Sequence, residues 1–178
     1  QRDGFVWLNR LAACGLGACL ADDMGLGKTV QILALLTARA SEGPSLVIAP
    51  TSVIRNWADE AARFAPALRL AQLAEAEDRG GLVAGAGAFD VVVCSYGLLP
   101  FEEDLLAGRP WNVVVLDEAQ AVKNRLAKRT RIVKRFQGRA RVIATGTPVE
   151  NNLTELWSLF DFLNPGLLGT HGQFERRF

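Results

Sequence analysis

A three-layer α/β domain, with a mainly parallel central sheet and helices on both faces, is the fold class this sequence predicts. Three observations predict it. Short apolar runs recur without polar alternation, which suits strands buried on both faces. Helix-length amphipathic stretches separate them. A glycine-rich loop joins the first apolar run to the helical pattern after it. Strand–helix alternation of this kind implies right-handed crossovers and layered packing.

The chain has 178 residues, 49% of them hydrophobic, enough for one domain with a real core. A helical pattern starts almost at Gln1. The first strand is expected at Ala18–Ala21, then the glycine loop, then a helix over Val30–Ala40 with Ile32, Leu33, Leu35 and Leu36 apolar. Leu46–Ala49 reads as a strand, and Ser52–Phe64 as a helix carrying Val53, Ile54, Trp57, Ala61 and Phe64. Gly80 to Gly87 reads as a loop or a weak helix–loop junction. Strands follow at Val91–Cys94 and Val113–Leu116, a helix at Asn124–Phe136 and a strand at Arg141–Thr145. The helix Asn152–Leu163 is stopped by Asn164-Pro165-Gly166. His171 to Phe178 starts one more helix. Trp7, Trp57, Trp157 and Phe160 sit at helical spacing among apolar neighbours, so they are expected to pack in the core rather than stack on bases.

No apolar run approaches the roughly 20 residues that span a bilayer, so no membrane partner is expected. The start, Gln1-Arg2-Asp3, does not read as a signal peptide. The three cysteines, Cys14, Cys19 and Cys94, form no C-x-x-C pair, and the one histidine is remote at His171. A zinc site or disulfide framework is not expected, and a reducing intracellular setting fits. The net charge of +1 hides an asymmetry. Between Glu118 and Glu150 there is no acidic residue, while Lys123, Arg125, Lys128, Arg129, Arg131, Lys134, Arg135, Arg139 and Arg141 fall in the gap. Such a run is either a solvated helix face or a surface for a polyanion. Composition does not choose between them.

"DDMGLGKT" nearly fits the phosphate-loop pattern G-x-x-x-x-G-K-[ST], with Asp22 where the first glycine belongs. Gly25 and Gly27 let backbone N–H groups approach phosphate oxygens, and the following helix N-terminus adds positive partial charge. Lys28 would reach the outer phosphates and Thr29 would place a hydroxyl on Mg²⁺. "VVVLDEAQ" sets Asp117 and Glu118 at the end of a buried strand, one to hold metal and one to polarise water. "ATGTPVENN" puts Thr145, Gly146 and Thr147 on a strand-end loop facing the same side. The ordered set is specific where each part alone is not.

In that order the residues resemble the Swi/Snf-type ATPases, double-stranded-DNA translocases within the superfamily 2 helicases. "QRDGFVWLNRL" is similar to the family's N-terminal helix. "DDMGLGKTVQ" is similar to motif I, "LVIAPTSVIRNWADE" to Ia, "VVVCSYGLL" to Ib, "LDEAQAVKN" to II and "ATGTPVENNLTELWSLFDFLNPGLLG" to III with its helix. The resemblance implies the first RecA-like lobe, residues 1–178, of a longer chain, with ATP and Mg²⁺ as cofactors. It implies double-stranded DNA and a second RecA-like lobe as partners, and protein cargo on DNA. It implies a cytoplasmic, nucleoid-associated protein if bacterial and a nuclear one if eukaryotic. Carried over by position, Gln1, Asp22, Asp23, Met24, Gly25, Leu26, Gly27, Lys28 and Thr29 surround the nucleotide. Thr29 and Asp117 hold metal, and Lys28, Asp117, Glu118 and Gln120 are catalytic. Pro50, Thr51, Ser95 and Tyr96 lie in DNA-contacting segments, and Thr145, Gly146 and Thr147 couple nucleotide state to DNA grip.

The chain departs from the pattern in places. Gln120 replaces the more usual histidine and cannot become cationic. Cys94 stands where threonine is common, and Glu75–Gly87 matches nothing in the family. A second lobe, which in the family supplies arginine fingers worth about 10³–10⁵ in rate, is expected to be absent from residues 1–178. Weak or absent hydrolysis by this lobe alone is therefore expected. A catalytically silent nucleotide-binding or interaction module is the competing reading. A small-molecule kinase leaves motif III unexplained. The Asp22 carboxylate is expected to turn away from phosphate, bonding within the loop or to a neighbouring cation.

Overall fold

The computed structural model describes residues 1–22, 25–148 and 153–178. Asp23 and Met24 of the loop, and the expected helix start at Asn152, lie outside the described residues.

Six strands form one parallel sheet. In chain order the elements are α1 (Arg2–Ala13), β1 (Ala18–Leu20), α2 (Lys28–Arg39), β2 (Ser45–Ala49), α3 (Thr51–Phe64), β3 (Arg69–Gln72), α4 (Arg79–Gly85) and β4 (Asp90–Ser95). Then come α5 (Leu99–Ala107), β5 (Pro110–Leu116), α6 (Lys128–Arg135), β6 (Gln137–Ala144), α7 (Leu153–Leu163) and α8 (His171–Arg177). The strands lie side by side as β1-β6-β5-β2-β4-β3. All run the same way, so every strand-end loop that follows a strand opens on one edge of the sheet.

Successive strand residues point to opposite faces, and the two cores divide accordingly. Val47, Ala49, Val91, Val93, Val113, Val115 and Val142 pack with α1, α2 and α3, through Leu8, Ile32, Leu36, Ile54 and Trp57. Leu46, Ile48, Val92, Val114, Leu116 and Ile143 pack with α5, α6 and α7, through Leu106, Ile132, Phe136, Leu159 and Phe162. This is the three-layer α/β fold the apolar runs predict.

The differences lie where the local signal is weak. β3 is an edge strand, half-exposed along its length, so its residues carry no buried run to read. α5 begins with Pro100 in its first turn and has no apolar stripe strong enough to announce it. Within the glycine-rich stretch α4 forms, because the Asp78 carboxylate accepts the Gly81 amide at 2.8 Å and caps its start. α6 is shorter than expected. Thr130 Oγ1 donates to the Val122 and Asn124 carbonyls at 3.1 and 2.7 Å, holding the preceding segment as a turn. β6 starts at Gln137 rather than Arg141. Trp57 and Trp157 are buried, as core packing requires, but Trp7 is 44% exposed and Phe160 half-buried. The helical spacing of Trp7 marks α1 but not its inward face.

At the opposite edge of the sheet, one side chain closes the fold. The Asn164 amide accepts the Gly17 N–H at 2.8 Å and donates to the Gly17 carbonyl at 3.2 Å. A Cβ on Gly17 would collide with the Leu163 backbone. α7 is thereby pinned to the start of β1. Asn164→Ala leaves both backbone groups of Gly17 without these partners and is expected to cost about 1–3 kcal/mol, read from urea unfolding.

Candidate nucleotide and nucleic-acid site

The loop after β1 turns through two glycines in the left-handed region, Gly25 at φ 84° and Gly27 at φ 78°. A side chain at either is strained, and one on Gly27 would also meet the Gln1 amide. Gln1 Nε2 lies 3.5 Å from the Leu26 carbonyl, so the N-terminal helix abuts the loop. Lys28 Nζ donates to the Asp22 carbonyl at 2.8 Å. The Asp22 carboxylate accepts from Gln31 Nε2 at 3.3 Å, a bond within the loop and its helix. Thr29 is half-buried in the first turn of α2, and Leu26 is exposed.

Asp117 stands at the end of β5, next but one to β1 in the sheet. Its side chain is only 8% exposed. Trp57 Nε1 donates to Oδ2 at 2.7 Å, and the Glu118 amide donates to Oδ1 at 2.9 Å. Burial raises the carboxyl above its ordinary range, and the neighbouring Glu118 charge adds to this. The two donors and the Lys28 ammonium oppose it without cancelling it. Glu118 itself is held at φ 48°, a conformation that costs a non-glycine residue energy and is found where surrounding structure imposes it. Gln120 Nε2 donates to Glu118 Oε2 at 2.8 Å, and Gln120 Oε1 accepts from Thr145 Oγ1 at 3.4 Å. Thr145 Oγ1 accepts the Thr147 amide at 3.2 Å. Glu118, Gln120, Thr145 and Thr147 form one hydrogen-bonded line from the end of β5 to the loop after β6, passing Gly146.

Among the described residues, no group of three or more His, Cys, Asp or Glu makes a protein-only cation cage. A hydroxyl at Thr29 and a carboxylate at Asp117 are instead the donor set that suits Mg²⁺, which keeps waters and phosphates as most of its ligands. The carboxylate has lone pairs beyond the two its N–H donors occupy, and a cation there would relieve the cost of its burial.

Pro50 and Thr51 begin α3 beside the end of β4, where the Tyr96 amide donates to the Ala49 carbonyl at 3.2 Å. Thr51 is exposed, and Ser95 Oγ accepts the Leu98 amide at 3.3 Å. Tyr96 follows in the same turn. It is 7% exposed and its hydroxyl donates to the Asp117 carbonyl at 2.9 Å, so the side chain faces the core. Sequence reading placed Trp57 in the core but missed its bond to Asp117, because a partner 60 residues away leaves no local signal.

A model of the SNF2-related domain family matches residues 1–178. The chain belongs to the SNF2-related domain family. YwqA of Bacillus subtilis is 43% identical over 187 residues, covering 100% of this chain and 20% of its own length. The chromatin-remodeling ATPase INO80 of Arabidopsis thaliana is 40% identical over 192 residues, 100% of this chain and 13% of its own. The Sulfolobus solfataricus SWI2/SNF2 ATPase core in complex with dsDNA superposes with a TM-score of 0.87 at 41% identity, covering 99% of this chain and 37% of that one. The SNF2-related lobe thus spans a fifth or less of these two full-length relatives. Its sheet is the RecA-like sheet of the SWI2/SNF2 core. No described helix is long and apolar enough to cross a membrane.

The pH dependence of the SNF2-related lobe follows from Asp117. The folded value is raised, so its contribution to stability is complete below the unfolded range, about 3.9, and is lost as pH rises through the folded value. Asp117→Asn removes this titration. The unfolding free energy of the variant minus that of the wild type should therefore rise with pH across that window, whatever its offset. A difference that falls with pH would mean the folded protein holds the Asp117 proton less tightly than the unfolded chain.

Proposed function

We propose that the lobe binds Mg²⁺·ATP at the Gly25–Thr29 loop and, within a longer two-lobed protein, drives ATP-dependent translocation along double-stranded DNA. One observation carries this reading. Lys28, the Asp117–Glu118 pair and Thr145–Thr147 all come to the same sheet edge, and Gln120 joins the last two by hydrogen bonds. In this reading Gly25, Gly27 and Lys28 cradle the phosphates, Gln1 stands at the adenine side, and Thr29 and Asp117 hold the metal. Glu118 takes the proton of the attacking water. Bound Mg²⁺ would supply neutralisation of charge developing on the phosphates. Gln120 transmits the state of that end of the site to Thr145. Arginine fingers belong to the second lobe in this reading, so turnover by the lobe alone is slow.

In the two-lobed protein, Glu118→Gln should lower DNA-stimulated kcat by about 10²–10⁴-fold while nucleotide binding persists, measured by phosphate release. Intact turnover would remove Glu118 from the chemistry and favour a silent module.

The duplex is proposed to lie along the edge formed by Pro50, Thr51 and Ser95. The basic stretch divides in two. Lys123 pairs with Glu155 at 3.5 Å, Lys134 with Asp161 at 2.7 Å, and Arg135 with Glu103 and Asp104. Arg141 donates to the Phe162 and Phe136 carbonyls at 2.7 and 3.0 Å. These cations hold the helix layer. Arg125, Lys128, Arg129 and Arg131 are exposed and take no ion-pair partner among the described residues. Arg125, Lys128 and Arg129 stand where α6 starts, on the side of the sheet where Tyr96 feels the Arg129 charge. They are proposed to face DNA phosphates. Neutralising all three to glutamine should reduce the slope of log affinity against log salt by about 2–3, near 0.9 per phosphate contact. An unchanged slope would make this a solvated face.

A further inference from the structure

Both segments expected to touch DNA end on one residue of the nucleotide site. α3 begins at Pro50–Thr51, and two turns on, its Trp57 indole donates to the Asp117 carboxylate at 2.7 Å. The turn after β4 begins at Ser95, and its Tyr96 hydroxyl donates to the Asp117 carbonyl at 2.9 Å. Both side chains are buried, Trp57 to 1% exposure and Tyr96 to 7%. The two segments are also joined to each other, through the Tyr96 amide on the Ala49 carbonyl at 3.2 Å. Asp117 is fastened to the same strand, its amide donating to the Ile48 carbonyl at 2.8 Å.

We propose that Trp57 and Tyr96 are positioning residues that couple DNA engagement to the nucleotide site through Asp117. The inference rests on the Mg²⁺·ATP and DNA readings above. Trp57 sets the direction of the carboxylate by occupying one Oδ2 lone pair. A cation drawing on that oxygen competes with the indole N–H, so metal binding is felt at α3. In the other direction, a load on Thr51 or Ser95 is carried inward by rigid, close-packed groups. It reaches Asp117 by two routes, one on the side chain and one on the backbone. Tyr96 then has a role although its side chain faces the core. Simple satisfaction of buried polar groups would account for the bonds, but it requires no response of either bond to ligands.

The test uses ¹⁵N-labelled 178-residue chain, titrated with a non-hydrolysable Mg²⁺·ATP analogue and with a short DNA duplex. The reporter is the Trp57 indole N–H resonance. Trp111, whose indole donates to the Leu106 carbonyl at 2.9 Å, is the internal control. The nucleotide is expected to shift the Gly25 and Gly27 amides and the Trp57 indole together while Trp111 stays. Duplex is expected to shift the Trp57 indole in the wild type and to shift it less in Tyr96→Phe, which keeps the ring and loses only the hydroxyl, so that the α3 route alone remains. The factor by which duplex changes analogue affinity, typically about 5–150 for linked sites, should fall in Tyr96→Phe and in Trp57→Phe and approach 1 when both are changed. If the loop amides move and the Trp57 indole does not, the relay is wrong and the nucleotide reading stands. Full coupling retained in Tyr96→Phe also overturns the relay. If the loop amides do not move at saturating analogue, the nucleotide reading falls and the relay with it.

Discussion

A carboxylate almost out of reach of water, with an indole N–H on one oxygen and a backbone amide on the other, is the constraint around which this lobe is arranged. Burying a charge is costly unless it is paired and hydrogen-bonded. Asp117 is hydrogen-bonded on its inner side and forms no ion pair among the described residues, and its burial holds the proton more tightly than water does. That unmet charge makes the position suited to a divalent cation. It also makes the surrounding geometry strict, since every donor on Asp117 comes from a different segment: α3, the turn after β4, and Glu118 beside it.

The parallel sheet supplies that convergence. Because all strands run one way, the loop after β1, the Asp117–Glu118 pair, the Thr145–Thr147 loop, Pro50–Thr51 and Ser95 share one edge. The order β1-β6-β5-β2-β4 sets the proposed nucleotide-side loops beside one another and the proposed DNA-side loops beyond them, with β5 and β2 as the seam. Asp117 sits at that seam. The opposite edge does mechanical work, where Asn164 closes α7 onto Gly17.

Charge is divided in the same way. Where α6 meets α5 and α7, cations of the acid-free stretch are taken up by Glu103, Asp104 and Asp161. Around the start of α6, Arg125, Lys128, Arg129 and Arg131 stay exposed, while Lys123 before them is buried and paired with Glu155. A single run in sequence therefore serves both packing and surface, and spacing along the helix separates the two roles: Lys134 and Arg135 at one end, Arg125 to Arg131 at the other.

By itself the sequence determined the fold class, most strands and the glycine loop, because these depend on short-range properties. Glycine at Gly25 and Gly27 is a backbone requirement, and unbroken runs such as Val113–Leu116 can only be buried. Asp117 and Glu118 were legible as a pair because they end such a run. Weak local signals hid β3 and α5 and left α4 open between loop and weak helix, and spacing alone did not show that Trp7 faces out. Only the tertiary structure decided which groups meet: the Trp57 indole and the Tyr96 hydroxyl on Asp117, the Gln120 bridge to Thr145, and the division of the basic stretch. Those partners lie tens of residues apart along the chain. Periodicity assigns a side chain to a face, but the hydrogen-bond partner it finds there is set by strand order and register.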